Sequence, residues 1–212
     1  VAKVSGGEGI RIKPVGMHTK AEWTIQMSAI YSSLTRSNLT TAYLSNGTGG
    51  AFYTRISSTA GIQVKNGRDG DDTWTQMPLQ AGKWLHITYV HKDKKTTVYV
   101  NGKVQKVFEN SAITFGENSM IVVGNSGYRN DYLREIRLWD KALTESEIND
   151  YLYLPMDPAT PHLISYLPLS KEMETKDLKA PAGTENVTTK ARIEYVENVK
   201  FPADELVIVN QE

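Results

Sequence analysis

Three aspartates lie close together in one polar stretch of the sequence, at Asp69, Asp71 and Asp72. Clustered carboxylates on a loop are ligands that suit a hard cation such as Ca²⁺. The spacing differs from that of an EF-hand, because the sixth and twelfth positions of such a loop would be Trp74 and Gln80. The pattern therefore predicts calcium ligands at the three aspartates, and a solvated acidic turn is the alternative.

A second group of residues has the chemistry needed to hold a sugar, namely flat aromatic rings beside planar hydrogen-bonding groups. Trp74 stands shortly after the aspartates, and another aromatic and polar run begins at Tyr128. Binding groups are commonly placed on loops above a rigid scaffold. The predicted ligand-binding residues are Trp74, Tyr128, Arg129, Asn130 and Asp131. For each of them the alternative is a structural role, because tyrosine is frequent in any β-sandwich.

Acid–base catalysis on a glycoside needs two carboxylates on one face, about 5–5.5 Å apart in retaining enzymes. Glu135 is followed two residues later by Arg137, and Asp140 lies five residues on, so it should point to the opposite face of a strand. His86 and His91 are also five apart, which gives zinc no paired ligands. The chain has no cysteine, which excludes thiol catalysis and disulfides. We expect a protein that is not an enzyme.

The composition restricts the class of partner. The chain has 212 residues, and 24 basic and 24 acidic residues give a net charge of 0. A nucleic-acid binder needs a basic field, so this class is disfavoured. The longest apolar run is Met120–Val123, whereas a membrane-spanning helix needs about 20 apolar residues. We therefore expect neither nucleic-acid binding nor membrane insertion by this segment.

Period-two alternation is the dominant pattern that would position these residues. In Trp23–Ile30 apolar and polar residues alternate, which predicts a strand with one buried face. Asn101-Gly102 between two extended runs predicts a tight hairpin. The predicted strands are 21–30, 40–44, 51–56, 61–65, 74–77, 84–91, 96–100, 103–108, 119–123 and 134–140. The residues expected to be mostly buried are Trp23, Ile25, Met27, Trp84, Ile87 or His86, Tyr99 and Trp139. Such a series of short strands indicates an all-β sandwich or barrel.

One short helix is expected after Thr144, because Thr144 and Glu147 have the spacing of a capping box. Pro155 then marks a change in composition. Residues 155–212 carry 6 basic and 10 acidic residues, against 18 and 14 in residues 1–154. We predict a sandwich over 1–154 and a C-terminal β appendage over 155–212 packed on it, with strands at 163–169, 191–196 and 206–209. Pro168 predicts an edge position for the first of these strands. The appendage residues expected to be partly buried are Leu163, Ile164, Tyr166, Leu167 and Leu169.

Three segments resemble a known family: GKWLHITY at 82–89, TVYVNGK at 97–103 and LREIRLWDKALT at 133–144. Their order and spacing are similar to those of the laminin-G-like, concanavalin A-like lectin/glucanase jelly roll, over about residues 10–153. The later segment PHLISYLPL at 161–169 resembles the return strand that follows such domains in surface proteins of glycan-degrading bacteria. Family members commonly carry Asp near a calcium site where this chain has Arg134, and a cation cannot ligate calcium.

The resemblance implies a two-sheet antiparallel jelly-roll sandwich, concanavalin A-like, with one short helix. It implies a non-catalytic carbohydrate-binding module of a secreted or cell-surface protein, with glycan and other domains of the same protein as partners. Two alternatives stay open: a protein-interaction or structural module, and, more remotely, a glycoside hydrolase. The chain begins at Val1 without a leader, so we expect any targeting segment to lie outside it.

Overall fold

A computed structural model describes the chain except at residues 7–8, 16–19, 35–38, 46–49, 66–72, 110–112, 114, 125–128, 198, 200 and 202–212. In this part of the chain there are fourteen strands and one helix. They are β1 (Ala2–Ser5), β2 (Ile10–Ile12), β3 (Trp23–Ile30), β4 (Leu39–Ser45), β5 (Gly50–Ser57), β6 (Gly61–Lys65), β7 (Trp84–Lys92), β8 (Lys95–Val100), β9 (Lys103–Glu109), β10 (Met120–Val123), β11 (Arg129–Trp139), α1 (Glu145–Asp150), β12 (Leu163–Leu167), β13 (Val187–Thr189) and β14 (Arg192–Tyr195). No helix among the described residues has the length and apolarity needed to cross a bilayer.

The strands form two antiparallel sheets that pack face to face as a jelly-roll sandwich, which confirms the predicted fold class. The eight-stranded sheet has the order β14-β1-β11-β3-β7-β8-β9, with β12 also paired to β11. The six-stranded sheet has the order β13-β2-β10-β4-β5-β6. Consecutive strands such as β7, β8 and β9 are hairpin neighbours, whereas β1 and β2 pair with strands from late in the chain.

The core lies between the inner faces of the two sheets. On β3, Trp23, Ile25, Met27 and Ala29 are all fully buried, as the alternation predicted. The prediction of a single buried face was wrong, because the polar residues between them, Thr24, Gln26 and Ser28, are buried on the other side of the strand. The Trp23 ring stacks on His91 at 5.0 Å between ring centroids. Its Nε1–H donates to a backbone carbonyl at 2.8 Å, so the indole is buried without an unpaired donor. Burying each large apolar side chain contributes about 1.5–3 kcal/mol, which makes this layer the main source of stability.

A second apolar cluster covers part of the outer face of the eight-stranded sheet. Helix α1 starts with the predicted capping box, in which Thr144 accepts from the Glu147 amide and the Glu147 carboxylate accepts from the Thr144 amide. Ile148 of the helix is fully buried and packs in the cluster with Trp139. Nε1 of Trp139 donates to the Gln26 amide oxygen at 2.8 Å. The helix thus covers part of the outer side of β7, β8 and β11, together with Leu163 and Tyr166 of β12.

Residues after 155 contribute three strands to the two sheets. β12 pairs with the second half of β11, β13 with β2, and β14 with β1. Leu163, Tyr166, Leu167 and Leu169 are buried, and Ile164 is partly buried. Among the named strands β12 pairs only with β11, so it has the edge position that Pro168 predicted.

Trp84 is mostly but not fully buried, because it is the first residue of β7 at the end of the sheet, where Phe201 contacts its ring at 5.0 Å between centroids. Two features of the local structure differ from the sequence-based prediction. The segment 74–77 is not a strand, since only Trp74 makes an isolated bridge. β1, β2 and β13 were not predicted, because runs of three or four residues give too short an alternation. The expected strand 206–209 lies outside the described residues.

Candidate functional site on the six-stranded sheet

The outer face of the six-stranded sheet is formed by residues that alternate with the core. On β5, Phe52, Thr54 and Ile56 are buried against the interior. Between them, Tyr53 and Arg55 are half-buried on the other side of the strand. The strand therefore presents one aromatic and one cationic side chain to solvent, as period-two geometry requires.

Strand pairing extends this face across β6. Directly opposed residues of antiparallel strands share a face, and Tyr53 lies opposite Lys65 while Arg55 lies opposite Gln63. Gln63 is in turn bridged to Trp74. These five residues, Tyr53, Arg55, Gln63, Lys65 and Trp74, are called the Trp74 face below.

Trp74 is held at this position by its backbone. The following amide, Thr75 N, donates to the Ile62 carbonyl at 2.8 Å, so the segment runs alongside β6. The Trp74 carbonyl accepts from Lys106 Nζ of β9 at 2.7 Å, which ties this edge to the other sheet. The Trp74 side chain is half-buried, as is that of Tyr53, so part of each ring faces solvent.

The polar members of the Trp74 face provide planar hydrogen-bonding groups. The Arg55 guanidinium lies over the Tyr53 ring, 5.2 Å from its centroid. Gln63 is 2% exposed, and its amide Nε2 donates to Thr73 Oγ1 at 2.8 Å. Among the described residues, Gln63 Oε1 and Arg55 Nε have no hydrogen-bond partner. Each such buried group without a partner costs about 1–3 kcal/mol.

The carboxylate that could do acid–base chemistry is enclosed on the opposite sheet. Glu135 sits in a β-bulge of β11 with φ of 56° and is 3% exposed. Its carboxylate pairs with the buried Arg137 guanidinium, and Tyr166 Oη donates to it at 3.5 Å. Burial raises the pKa of Glu135, and the nearby Arg137 charge opposes that rise. Asp140 instead contacts His162 at 2.9 Å and Lys20 at 3.3 Å.

Two open clefts lie elsewhere on the described part of the molecule. The larger, about 940 Å³, is lined by residues 172–178 and 180–187 and contains no aromatic ring. The smaller, about 430 Å³, lies over β7 and β8 beside Thr144. Its floor includes Tyr99, but that side chain is only 9% exposed. Neither cleft presents a ring to a sugar, whereas the Trp74 face presents two.

The sequence-predicted site residues fall in separate regions. Trp74 lies on the outer face just described. Asp131 is on β11 and is 2% exposed, and its Oδ1 accepts from Ser32 N at 2.7 Å and from Ser32 Oγ at 2.9 Å. Asp131 therefore belongs to the eight-stranded sheet, whereas Trp74 is bridged to Gln63 at the β6 edge of the six-stranded sheet. The structure therefore does not bring Trp74 and Asp131 together.

For the other predicted site residues the structure describes the backbone at most. Arg129 and Asn130 are the first two residues of β11, and Tyr128 lies outside the described residues. The predicted calcium ligands Asp69, Asp71 and Asp72 also lie outside the described residues. Within the described residues there is no group of three His, Asp or Glu side chains that could hold a metal. Calcium binding and the Tyr128–Asp131 contact stay predictions.

Sequence reasoning did not select Arg55, Gln63 or Lys65. Arg55 occupies an outward position in the alternation of 51–56, so that pattern identifies it as exposed. The alternation does not reveal which strands are neighbours, so it could not place β6 beside β5 or Trp74 beside Gln63.

Comparison with protein families gives one match. The family described as the concanavalin A-like lectin/glucanases superfamily, Laminin_G_3, matches residues 5–149. No curated protein sequence matches the chain.

Similar solved structures share the fold at low sequence identity. One is a "putative carbohydrate binding protein" from Bacteroides ovatus, with a TM-score of 0.65 and 19% identity, covering 93% of this chain and 60% of that one. A second is domain 4 of AbnA, a GH43 extracellular arabinanase from Geobacillus stearothermophilus, in complex with arabinotriose, with a TM-score of 0.52, 18% identity and coverage of 71% and 76%. A third is a heptameric SAP-like pentraxin from Limulus polyphemus, with a TM-score of 0.57, 13% identity and coverage of 92% and 94%. This chain therefore spans 60% of the length of the Bacteroides ovatus protein.

Proposed function

This chain belongs to the concanavalin A-like lectin/glucanases superfamily, and we propose that it is a non-catalytic glycan-binding module whose binding site is the Trp74 face. One observation carries the proposal: the partly exposed residues Tyr53 and Trp74 share an outer sheet face with the planar guanidinium of Arg55, which is also partly exposed. Sugars are held in this way, with an aromatic ring against the apolar face of the sugar and planar polar groups on its hydroxyls.

The names of two similar structures support the same class of ligand. The Bacteroides ovatus protein is described as carbohydrate binding, and the AbnA domain was solved with arabinotriose. Support for a non-catalytic role comes from Glu135, whose carboxylate is buried and engaged with Arg137. A carboxylate enclosed in this way cannot reach a glycosidic oxygen.

The test is a glycan array with the whole chain, followed by affinity measurements on the sugars that bind. An aromatic contact contributes about 0.5–1.5 kcal/mol beyond its burial. Since 1.4 kcal/mol is tenfold in affinity, Trp74→Ala should weaken binding about tenfold, and Tyr53→Ala should do the same. Circular dichroism should show that both variants keep the fold.

Trp84→Ala is the matched control, because Trp84 is also half-buried but lies on the eight-stranded sheet. It should leave affinity unchanged in samples that remain folded. If Trp84→Ala lost binding while Trp74→Ala kept it, the binding site would lie on the eight-stranded sheet and the proposed location would be wrong. Release of reducing sugar by the unmodified protein would show that the module is a hydrolase.

We also propose that the module belongs to a secreted or cell-surface protein, where polymeric glycans are met. The AbnA arabinanase is an extracellular enzyme, which is consistent with this location. Added protease should degrade the protein on intact cells of its source. Protection from protease until lysis would contradict the proposal.

A further inference from the structure

The two partly exposed aromatic residues of the Trp74 face are not neighbours. Tyr53 lies opposite Lys65 of β6, whereas Trp74 is bridged to Gln63, two residues earlier on the same strand. Trp74 is therefore separated from Tyr53 by two strand spacings across the sheet and by two residues along it. With standard sheet dimensions, this places the two Cα atoms about 12 Å apart.

The side chains of Tyr53 and Trp74 rise from the same face of the sheet. Directly opposed residues of antiparallel strands share a face, and the side chains of a strand stand roughly perpendicular to the sheet. The distance between the two aromatic rings is thus close to the distance between their Cα atoms. A sugar ring is much smaller than this separation, so one sugar unit cannot lie against both residues at once.

The surface between the two aromatic residues is low. The line from Tyr53 to Trp74 crosses β6 at Val64, whose side chain is 4% exposed and belongs to the core. Gln63, on one side of this line, is 2% exposed, and Lys65, on the other side, is partly exposed and borders the path. Neither Val64 nor Gln63 therefore projects far enough to block a ligand that passes over β6.

Both aromatic residues are held in place by other parts of the chain. The Arg55 guanidinium lies over the Tyr53 ring, 5.2 Å from its centroid. The Trp74 backbone is held through its carbonyl, which accepts from Lys106 Nζ at 2.7 Å. Groups that are already held lose little freedom on binding. Two such contacts at a set distance select a ligand of matching length.

We infer that the Trp74 face recognises a linear glycan chain of at least three sugar units lying across β6, and not a single sugar. The inference rests on the proposed function. Neighbouring rings of an extended glycan lie about one strand spacing apart, so the rings that contact Tyr53 and Trp74 belong to units that are not adjacent. Two contacts on one ligand reinforce each other, because the first raises the effective concentration for the second. Affinity should therefore rise with chain length until both contacts are made.

The experiment measures binding of the whole chain to the monosaccharide and to the linear oligomers of two to six units of the glycan that binds best on the array. For an arabinan, these probes are arabinose to arabinohexaose. Calorimetry gives the affinities of the oligomers, and NMR titration gives the weaker affinity of the monosaccharide. Affinity should rise at least tenfold between the disaccharide and the tetrasaccharide and then level off.

Variants show whether the two contacts are made by different sugar units. On the hexasaccharide, Tyr53→Ala and Trp74→Ala should each weaken binding about tenfold, and the double variant about a hundredfold, since separate contacts are additive. On the monosaccharide, each single variant should keep most of the binding, because the other aromatic residue remains. Tyr132→Ala is the matched control, at a partly exposed tyrosine on β11 of the eight-stranded sheet, and should leave all these affinities unchanged.

Two outcomes separate this inference from the proposed function. If the disaccharide bound as tightly as the hexasaccharide, adjacent units would make both contacts, and the inference would be overturned while the proposed function stood. If no glycan on the array bound, the proposed function itself would fail.

Discussion

His86 should make the stability of this protein depend on pH. Its side chain is 2% exposed on β7, its Nδ1 lies 3.4 Å from Thr88 Oγ1, and its ring meets that of Tyr153 at 5.8 Å. Burial, assisted by the Arg137 charge, lowers the pKa of His86 from 6.5 to about 3. The folded protein therefore keeps the imidazole neutral, whereas the unfolded chain protonates it below pH 6.5.

The sign and size of the effect follow from proton linkage. Between pH 6.5 and about 3 the unfolded state binds one more proton at His86, so the free energy of unfolding falls as the pH falls. At 1.36 kcal/mol per pH unit, His86 should remove about 2 kcal/mol by pH 5 and at most about 5 kcal/mol by pH 3. Above pH 6.5 the contribution of the neutral histidine is complete.

The assay is urea denaturation at pH 7 and at pH 5, with tryptophan fluorescence as the measure of unfolding. Carboxylates also titrate in acid, so the informative quantity is the difference between the wild type and His86→Gln, a variant that cannot charge. The wild type should lose about 2 kcal/mol more than His86→Gln between the two pH values. Equal losses in the wild type and His86→Gln would refute the reasoning.

Two further predictions concern other parts of the fold. Arg137→Met should lower the free energy of unfolding by about 3–5 kcal/mol, because it removes the nearer of the two cations beside the buried Glu135 carboxylate and leaves only Arg134 at 4.0 Å. Adding Glu135→Gln should recover part of the loss in the same urea titration, and a loss below 1 kcal/mol would contradict the role of the pair. Thr144→Ala should cost about 1 kcal/mol by thermal unfolding, because it removes the side-chain acceptor at the start of α1, while Thr144→Ser should be close to neutral.

The features that could be predicted from the sequence are those with local signals. Asn101 and Gly102 have φ of 51° and 75°, which are the two positive values that an Asn-Gly hairpin turn requires. The capping box at Thr144 is likewise contained within four residues. Each of these features depends on neighbours in the chain, so composition and spacing are sufficient.

The Trp74 face could be predicted only in part, because it depends on which strands are neighbours. Trp74 was identified from its residue type, but its position beside Gln63 follows from a bridge that no local pattern encodes. The same limit applies to Trp84, whose partial exposure depends on Phe201, more than a hundred residues later. Alternation assigns a residue to one side of a strand, and only tertiary pairing decides what lies next to it.

The pairing of β1 with β11 and β14 has a consequence for how the chain reaches its fold. Val1 and Val196 are joined by a backbone hydrogen bond of 3.0 Å, and Ala2 lies across from both Leu133 and Tyr195. During synthesis, β1 has no partner until β11 emerges, and its second edge is covered only when β14 follows. Such sequence-distant contacts give β-sandwiches high contact order and folding times of milliseconds to seconds. β11 and β14, which are made long after β1, thus complete its two edges.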